Sequence, residues 1–228
     1  MRTRKTVSPS ANLVIRIEGN YSMKVLLLNG SSRKNGTTFT ALEEISIALQ
    51  KEQIDTEIFQ LGNPELRDCS GCCACRRIGK CIYEDVVNEF VAKARLSDAF
   101  VFGSPVYYAH PSGRILSFLD RAFYSGASAF AFKPAAAVAA ARRSGTTASF
   151  DVLNKYFAIC NMPIVTSQYW NNIYGNGMEQ ARQDEEGIQT MRILGYNMAW
   201  ILKCIEAGKR AGINHPSPET KIKTNFIR

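Results

Sequence analysis

Short apolar runs that end in polar turns alternate with helical apolar periods along most of this chain, and that alternation leaves few folds open. Lys24-Val-Leu-Leu-Leu-Asn29 is a continuous apolar run closed by a Gly/Ser-rich turn, the pattern of a strand buried on both faces. Phe39, Leu42, Ile45 and Leu49 then recur at helical spacing within 37–50. Ile54–Leu61 reads as a second strand, 84–95 as a helix, Ala99-Phe-Val-Phe102 as a third strand and 112–123 as another helix. Ala135–Ala141 is a weaker strand defined by its bounding turns, 147–160 a helix, and Pro163-Ile-Val-Thr-Ser167 a fifth strand. Ile188, Met191, Leu194, Met198, Ile201 and Ile205 draw one face of a long final helix, and the tail 213–228 is expected to lie across the surface. Five strands interleaved with helices imply a parallel sheet covered on both faces, and right-handed crossovers make it doubly wound. A chain of 228 residues with 46% hydrophobic content can bury such a core as one domain, 23–228.

Several function classes drop out. No run of about 18 apolar residues is present, so a membrane span is not expected. Residues 1–22 carry Arg2, Arg4, Lys5 and Arg16 without an uninterrupted apolar core, which argues against a secretory leader. Met23 stands directly before the first strand, so 1–22 reads as a loosely ordered N-terminal extension. That extension holds +3 of the net charge of +8, and the remaining cations are scattered. Without a clustered basic face or a nucleic-acid motif, nucleic acid is not an expected partner, whereas a mildly basic surface suits small anionic ligands. Seven cysteines, an odd number, with no leader argue for a reducing cytoplasm.

In a doubly wound sheet, ligands bind beyond the carboxyl ends of the strands, where the strand order reverses. Two loops fall there. After the first strand comes Asn29-Gly-Ser-Ser-Arg-Lys-Asn-Gly-Thr-Thr38, opening a helix. Ser31, Ser32, Thr37 and Thr38 offer hydroxyls, Arg33 a charged fork, Gly36 close backbone approach, and the helix start free N–H groups: a phosphate cradle. It is neither a Walker A loop, since Thr37 follows Gly36, nor a G-x-G-x-x-G turn, since residue 32 is Ser. After the third strand comes Gly103-Ser-Pro-Val-Tyr-Tyr-Ala-His-Pro-Ser-Gly113, in which Pro105 fixes a turn and Val106, Tyr107 and Tyr108 give flat apolar surface.

These two loops resemble the FMN loops of NADPH-dependent FMN reductases and related flavodoxin-like quinone reductases, and the resemblance runs from Met23 to about residue 205. It implies a five-stranded flavodoxin-like sheet of order 2-1-3-4-5, with FMN phosphate on Ser31, Arg33, Asn35, Gly36, Thr37 and Thr38. It places the flavin ring beside Ser104 and on Pro105, Val106, Tyr107 and Tyr108, with a third wall at Arg142-Arg143-Ser144-Gly145-Thr146. It further implies a homodimer or homotetramer, NAD(P)H as donor, and a small-molecule electron acceptor.

Five cysteines crowd into 69–81, and Cys69-x2-Cys72-x2-Cys75-x5-Cys81 leaves Cys73 over. Four thiolates so close can hold Zn²⁺ or an iron–sulfur cluster, and a surplus thiol also permits disulfides. The fourth cysteine is too late, and not followed by Pro, for the ordinary ferredoxin run. The spacing resembles that of the iron–sulfur flavoproteins, which implies a [4Fe–4S] cluster on Cys69, Cys72, Cys75 and Cys81 exchanging electrons with FMN, and ferredoxin as a possible partner. His110, His215, Trp170, Asp120 and Arg121 are given bland roles, the last two as helix-surface residues. No Ser-His-Asp or paired-carboxylate set competes as a site. The expectation is an FMN-dependent oxidoreductase that reduces quinone, flavin or similar acceptors with NAD(P)H. Its alternatives are an iron–sulfur flavoprotein and a non-enzymatic zinc knuckle.

Overall fold

The computed structural model describes residues 22–217, 219, 220, 222 and 224. The extension expected over 1–22 lies outside these but for Ser22. In chain order the elements are β1 (Lys24–Asn29), α1 (Thr37–Lys51), β2 (Asp55–Gln60), α2 (Cys75–Ile78), α3 (Val86–Arg95), β3 (Ala99–Tyr107) and β4 (His110–Pro111). Then follow α4 (Gly113–Phe130), β5 (Ala135–Ala141), α5 (Thr146–Ile159), β6 (Asn172–Tyr174), α6 (Met178–Gln183) and α7 (Glu185–Arg210). The strands run parallel in the order β2-β1-β3-β5-β6, with β4 folded antiparallel onto β3. Setting that hairpin strand aside, this is the flavodoxin-like 2-1-3-4-5 path, and its reversal falls between β1 and β3.

Successive residues of each strand face opposite sides, so one run of apolar residues serves two cores. Leu26, Leu28, Phe100 and Phe102 face α3, α4 and α5 and meet an aromatic cluster. In it Phe90 lies edge-on to Phe118 at 5.1 Å and Phe123 stacks on Phe130 at 4.5 Å. Val25, Leu27, Val101 and Val138 face α1 and α7, where they meet Leu42, Ile45, Met191, Leu194 and Met198. Each fully buried side chain of this size contributes about 1.5–3 kcal/mol. No helix among the described residues is long and apolar enough to cross a membrane.

Two of the expected strands depart from expectation, and α2, β4 and α6 are additions to it. The third strand continues past Phe102 to Tyr107, because Gly103, Ser104 and Pro105 pair with Val138, Ala139 and Ala140 of β5. Pairing with β1 stops at Gly103, so the N–H that Pro105 lacks is not required there. The fifth strand is not Pro163–Ser167. That segment makes one bridge, Ala135↔Ile164, then leaves the sheet, and Asn172–Tyr174 rejoins it along Ala139–Ala141. The fifth position is thus filled in two pieces, with the Trp170 loop looped out between them.

Candidate functional site

At the carboxyl edge the loop after β1 is drawn onto β3. The Gly30 N–H donates to the Gly103 carbonyl at 2.8 Å, and a Cβ on Gly30 would stand 2.6 Å from Ile115 Cδ1. Buried Asn29 shapes the turn: its Oδ1 accepts from the Ser31 N–H at 3.2 Å and its Nδ2 donates to Gln60 at 2.6 Å. Ser31 in turn accepts from the Arg33 N–H at 3.1 Å. Ser32, Arg33, Lys34 and Asn35 are exposed at the rim. Helices α3, α4 and α7 have side-chain caps from Asp85, Ser112 and Asp184, whereas α1 starts after extended Gly36 with none. Its first N–H groups therefore remain free for an anion. The two threonines are otherwise engaged. The Thr37 hydroxyl donates to the Gly175 carbonyl at 2.9 Å and accepts from the Gly177 N–H at 3.1 Å, and Thr38 is buried with its methyl against Gly103. Both bring backbone, more than hydroxyls, to the cradle.

The second loop is a hairpin. Tyr107 pairs with His110 around a two-residue turn in which Tyr108 has φ 52° and Ala109 φ 57°. Non-glycine residues at both positions are strained, and Tyr108 is fully exposed. The Ser104 hydroxyl closes the hairpin base, donating to the Pro105 carbonyl at 2.8 Å and accepting from the Ser112 N–H at 3.1 Å. The third loop meets this hairpin: Gly145 has φ 89°, and a Cβ there would fall on the Ala109 backbone and lie 3.1 Å from Val106. Arg142, Arg143 and Ser144 are exposed beside it, and α5 too begins without a side-chain cap. The three predicted loops therefore form one open edge, cationic at Arg33, Lys34, Arg142 and Arg143 and aromatic at Tyr107 and Tyr108. His110 is exposed on β4, and exposed Trp170 leans on Tyr169 at 4.9 Å.

The cysteine segment joins β2 to α3. Cys69, Cys72, Cys73, Cys75 and Cys81 line one cavity with Ile82, Tyr83, Arg121, Tyr124 and Ser125. None of the seven cysteines forms a disulfide. The Ala74 N–H and the Ser70 hydroxyl pull the Cys72 thiol below its ordinary range, whereas burial pushes that of Cys75 up. Among the described residues no three His, Cys, Asp or Glu side chains stand close enough to share a single ion. The one-turn helix α2 carries Cys75 and ends on Gly79 at φ 73°. Asn88 of α3 ties down the far end, accepting from the Cys81 N–H at 3.0 Å and donating to the Cys81 carbonyl at 2.9 Å.

Arg121 is where the sequence-based expectation fails. It is 1% exposed, the largest fully buried side chain among those described, rather than a helix-surface residue. Its guanidinium pairs with Asp85 at 2.7 and 2.9 Å, donates from Nε to Cys81 Sγ at 3.3 Å, and reaches the Arg67 and Tyr83 carbonyls. Burial opposes its charge, but Asp85 and Cys81 more than offset that and hold it protonated. The available signal was its position on α4, three residues after Phe118 and beside Ala122, within the apolar arc.

Residues 23–176 match the model of the NADPH-dependent FMN reductase family. An iron–sulfur flavoprotein of Methanocaldococcus jannaschii is 31% identical over 81% of this chain and 100% of its own length. One of Methanosarcina thermophila is 24% identical over 82% of this chain and 99% of its own. An archaeal flavodoxin structure superposes with a TM-score of 0.55 at 14% identity, covering 79% of this chain and 99% of that one, and so shares the fold. The chain belongs to the NADPH-dependent FMN reductase family, among its iron–sulfur flavoproteins.

Proposed function

We propose that this flavin oxidoreductase holds FMN at the switch-point edge and a [4Fe–4S] cluster on Cys69, Cys72, Cys75 and Cys81, and exchanges electrons between them and a small-molecule acceptor. The observation that carries the reading is the gathering of five thiols around one cavity on α4, the helix whose own cap, Ser112, belongs to the flavin hairpin. Arg121 follows Ser112 by nine residues, so a rise of about 1.5 Å per residue puts the cysteine clamp about 13 Å along the helix from the hairpin.

The residues present fit both groups. For a phosphate, the uncapped start of α1 supplies N–H groups, Ser32 and Asn35 polar side chains, and Arg33 charge. A Cβ on Gly36 would meet only the side chain of Arg33, at 3.5 Å, so the room in front of this backbone is open to a ligand. Pro105, Val106, Tyr107 and Tyr108 supply an apolar wall for a flat ring. For iron and sulfide, thiolates are the proper donors.

When bound, FMN accepts a hydride or single electrons and the cluster single electrons, which is how the pair links donors of one kind to acceptors of the other. The protein positions. Ser104 and Ser112 hold the hairpin, and Gly145 brings the third loop against it. Arg142 and Arg143 present unpaired charge, among the described residues, at the open rim where an anionic donor such as NAD(P)H would approach. Ferredoxin as a one-electron partner and a homodimer or homotetramer belong to the same proposal.

One anaerobic absorbance spectrum with iron analysis tests it. The expected result is a flavin band near ~450 nm, a broad shoulder near ~400 nm and about four irons per chain. Bleaching by NADPH in the iron-free protein would assign the donor role to nicotinamide. Protein that takes up neither FMN nor iron would sink the reading.

A further inference from the structure

Nothing in flavin binding uses Arg121, yet it is the most heavily partnered side chain beside the cysteine cavity. An arginine carries five N–H donors. Here each has an acceptor: Nε on Cys81 Sγ at 3.3 Å, Nη1 on the Arg67 carbonyl at 3.2 Å and Asp85 Oδ2 at 2.7 Å, Nη2 on the Tyr83 carbonyl at 3.3 Å and Asp85 Oδ1 at 2.9 Å. Arg67 precedes Cys69, while Tyr83 and Asp85 follow Cys81, so one buried plane gathers both ends of the loop. Asp85 balances the charge and also caps α3 through the Val87 N–H at 3.1 Å. The Tyr83 ring meets two guanidinium groups, 5.0 Å from that of Arg121 and 5.2 Å from that of Arg67.

We propose that Arg121 is a positioning residue of the cysteine site, fixing Cys81 through its Nε–H and raising the reduction potential of the cluster bound there. The proposal rests on the cluster reading above. An arginine serving only as a strut is best matched by oxygens at all five donors, because a thiol sulfur is a weak acceptor. A metal-bound thiolate is a good one, and a charge-assisted bond to it is stronger. Reduction adds negative charge to a cluster and its ligand sulfurs. A donor aimed at one sulfur therefore stabilises the reduced state more than the oxidised, and the potential rises. With Asp85 neutralising the guanidinium, the directed N–H dipole remains as the acting element. Lysine has no equivalent donor to aim.

The test uses full-length wild type, R121K, R121Q and D85N, reconstituted anaerobically with iron and sulfide. The readouts are iron content, melting temperature and cluster midpoint potential by dye-equilibrated spectral titration. R121K and R121Q are expected to shift the potential of the loaded fraction downward, R121Q further. D85N, which removes a negative charge and leaves the Nε–H in place, is expected to shift it upward. A strut would lower the melting temperature in all three and leave the potential of the loaded fraction where it was, and that outcome overturns the proposal. The iron-free chain supplies a second arm. Mass-mapped alkylation of Cys81, relative to remote Cys204, is expected to speed up several-fold in R121K, and an unchanged ratio removes the positioning claim. Wild type that takes up no iron sinks the cluster reading and the potential claim with it, while the alkylation ratio still decides whether Arg121 holds Cys81.

Discussion

Gly145 stands at φ 89°, and the Cα of Ala109 occupies the place of the Cβ it lacks. Gly145→Ala thus combines a left-handed backbone with a backbone clash, and the expected loss is about 1–3 kcal/mol of stability. The hairpin tip must give way, so FMN affinity in a fluorescence titration is expected to fall together with the melting temperature. A stable G145A that binds flavin as wild type does would mean that the third loop is not part of the site. On the other side of the contact, Tyr108 and Ala109 hold φ values of 52° and 57° that glycine and asparagine adopt more readily. At this scale the sequence was legible where chemistry is local. Ser31 to Gly36 and Pro105 to Tyr108 stand out as the proposed cradle and wall by residue type and order, and the structure brings their loops to one edge. It was not legible where a residue's role depends on distant chain. Arg121 has acceptors on residues 67, 81, 83 and 85, far from it in sequence, so periodicity alone could put it in the apolar arc but could not supply partners for its charge.

The central strands could be read because a strand buried on both faces must be a continuous apolar run, and β1 is one. The fifth could not, since its two halves are three residues or fewer and the second, Asn-Ile-Tyr, opens on a polar side chain. Apolar content there marks the bridge at Ile164 instead, and a one-bridge contact followed by an excursion has no period to detect. Helices were legible from their inner faces, but not how closely two of them cross. Gly195 of α7 lies over α1, where a Cβ would stand 2.6 Å from that of Ala48 and 2.9 Å from the Ile45 carbonyl. Gly195→Ala is therefore expected to cost about 1–3 kcal/mol by overpacking, against the gain that alanine usually brings inside a helix. Chemical denaturation checks both the sign and the cause. Ala48→Gly in the same chain should recover part of the loss, and strict additivity of the two losses would refute the close crossing.

Across the whole molecule the flavin edge and the cysteine cavity are built from different connections. The edge takes the turns after β1, β3 and β5, the cavity the segment between β2 and α3, and among the described helices α4 alone touches both. Doubly wound topology makes this separation possible, because each strand end can carry its own loop while one sheet holds them all in register. Two sites supported in this way should fail independently. Cys75 is half-buried beside Tyr124, so Cys75→Ser removes one of the proposed cluster ligands without opening either core. The serine variant is expected to lose its iron and to keep FMN affinity within about twofold, the spread of independent sites whose energies add within roughly 0.3–0.5 kcal/mol. Gly145→Ala is expected to do the reverse, retaining iron and losing flavin. Iron analysis and a flavin titration on the same preparations read both. Were C75S to release flavin as well, the cluster would be a structural support of the flavin edge, and α4 would be the element carrying that support, since it alone reaches from Ser112 to Arg121.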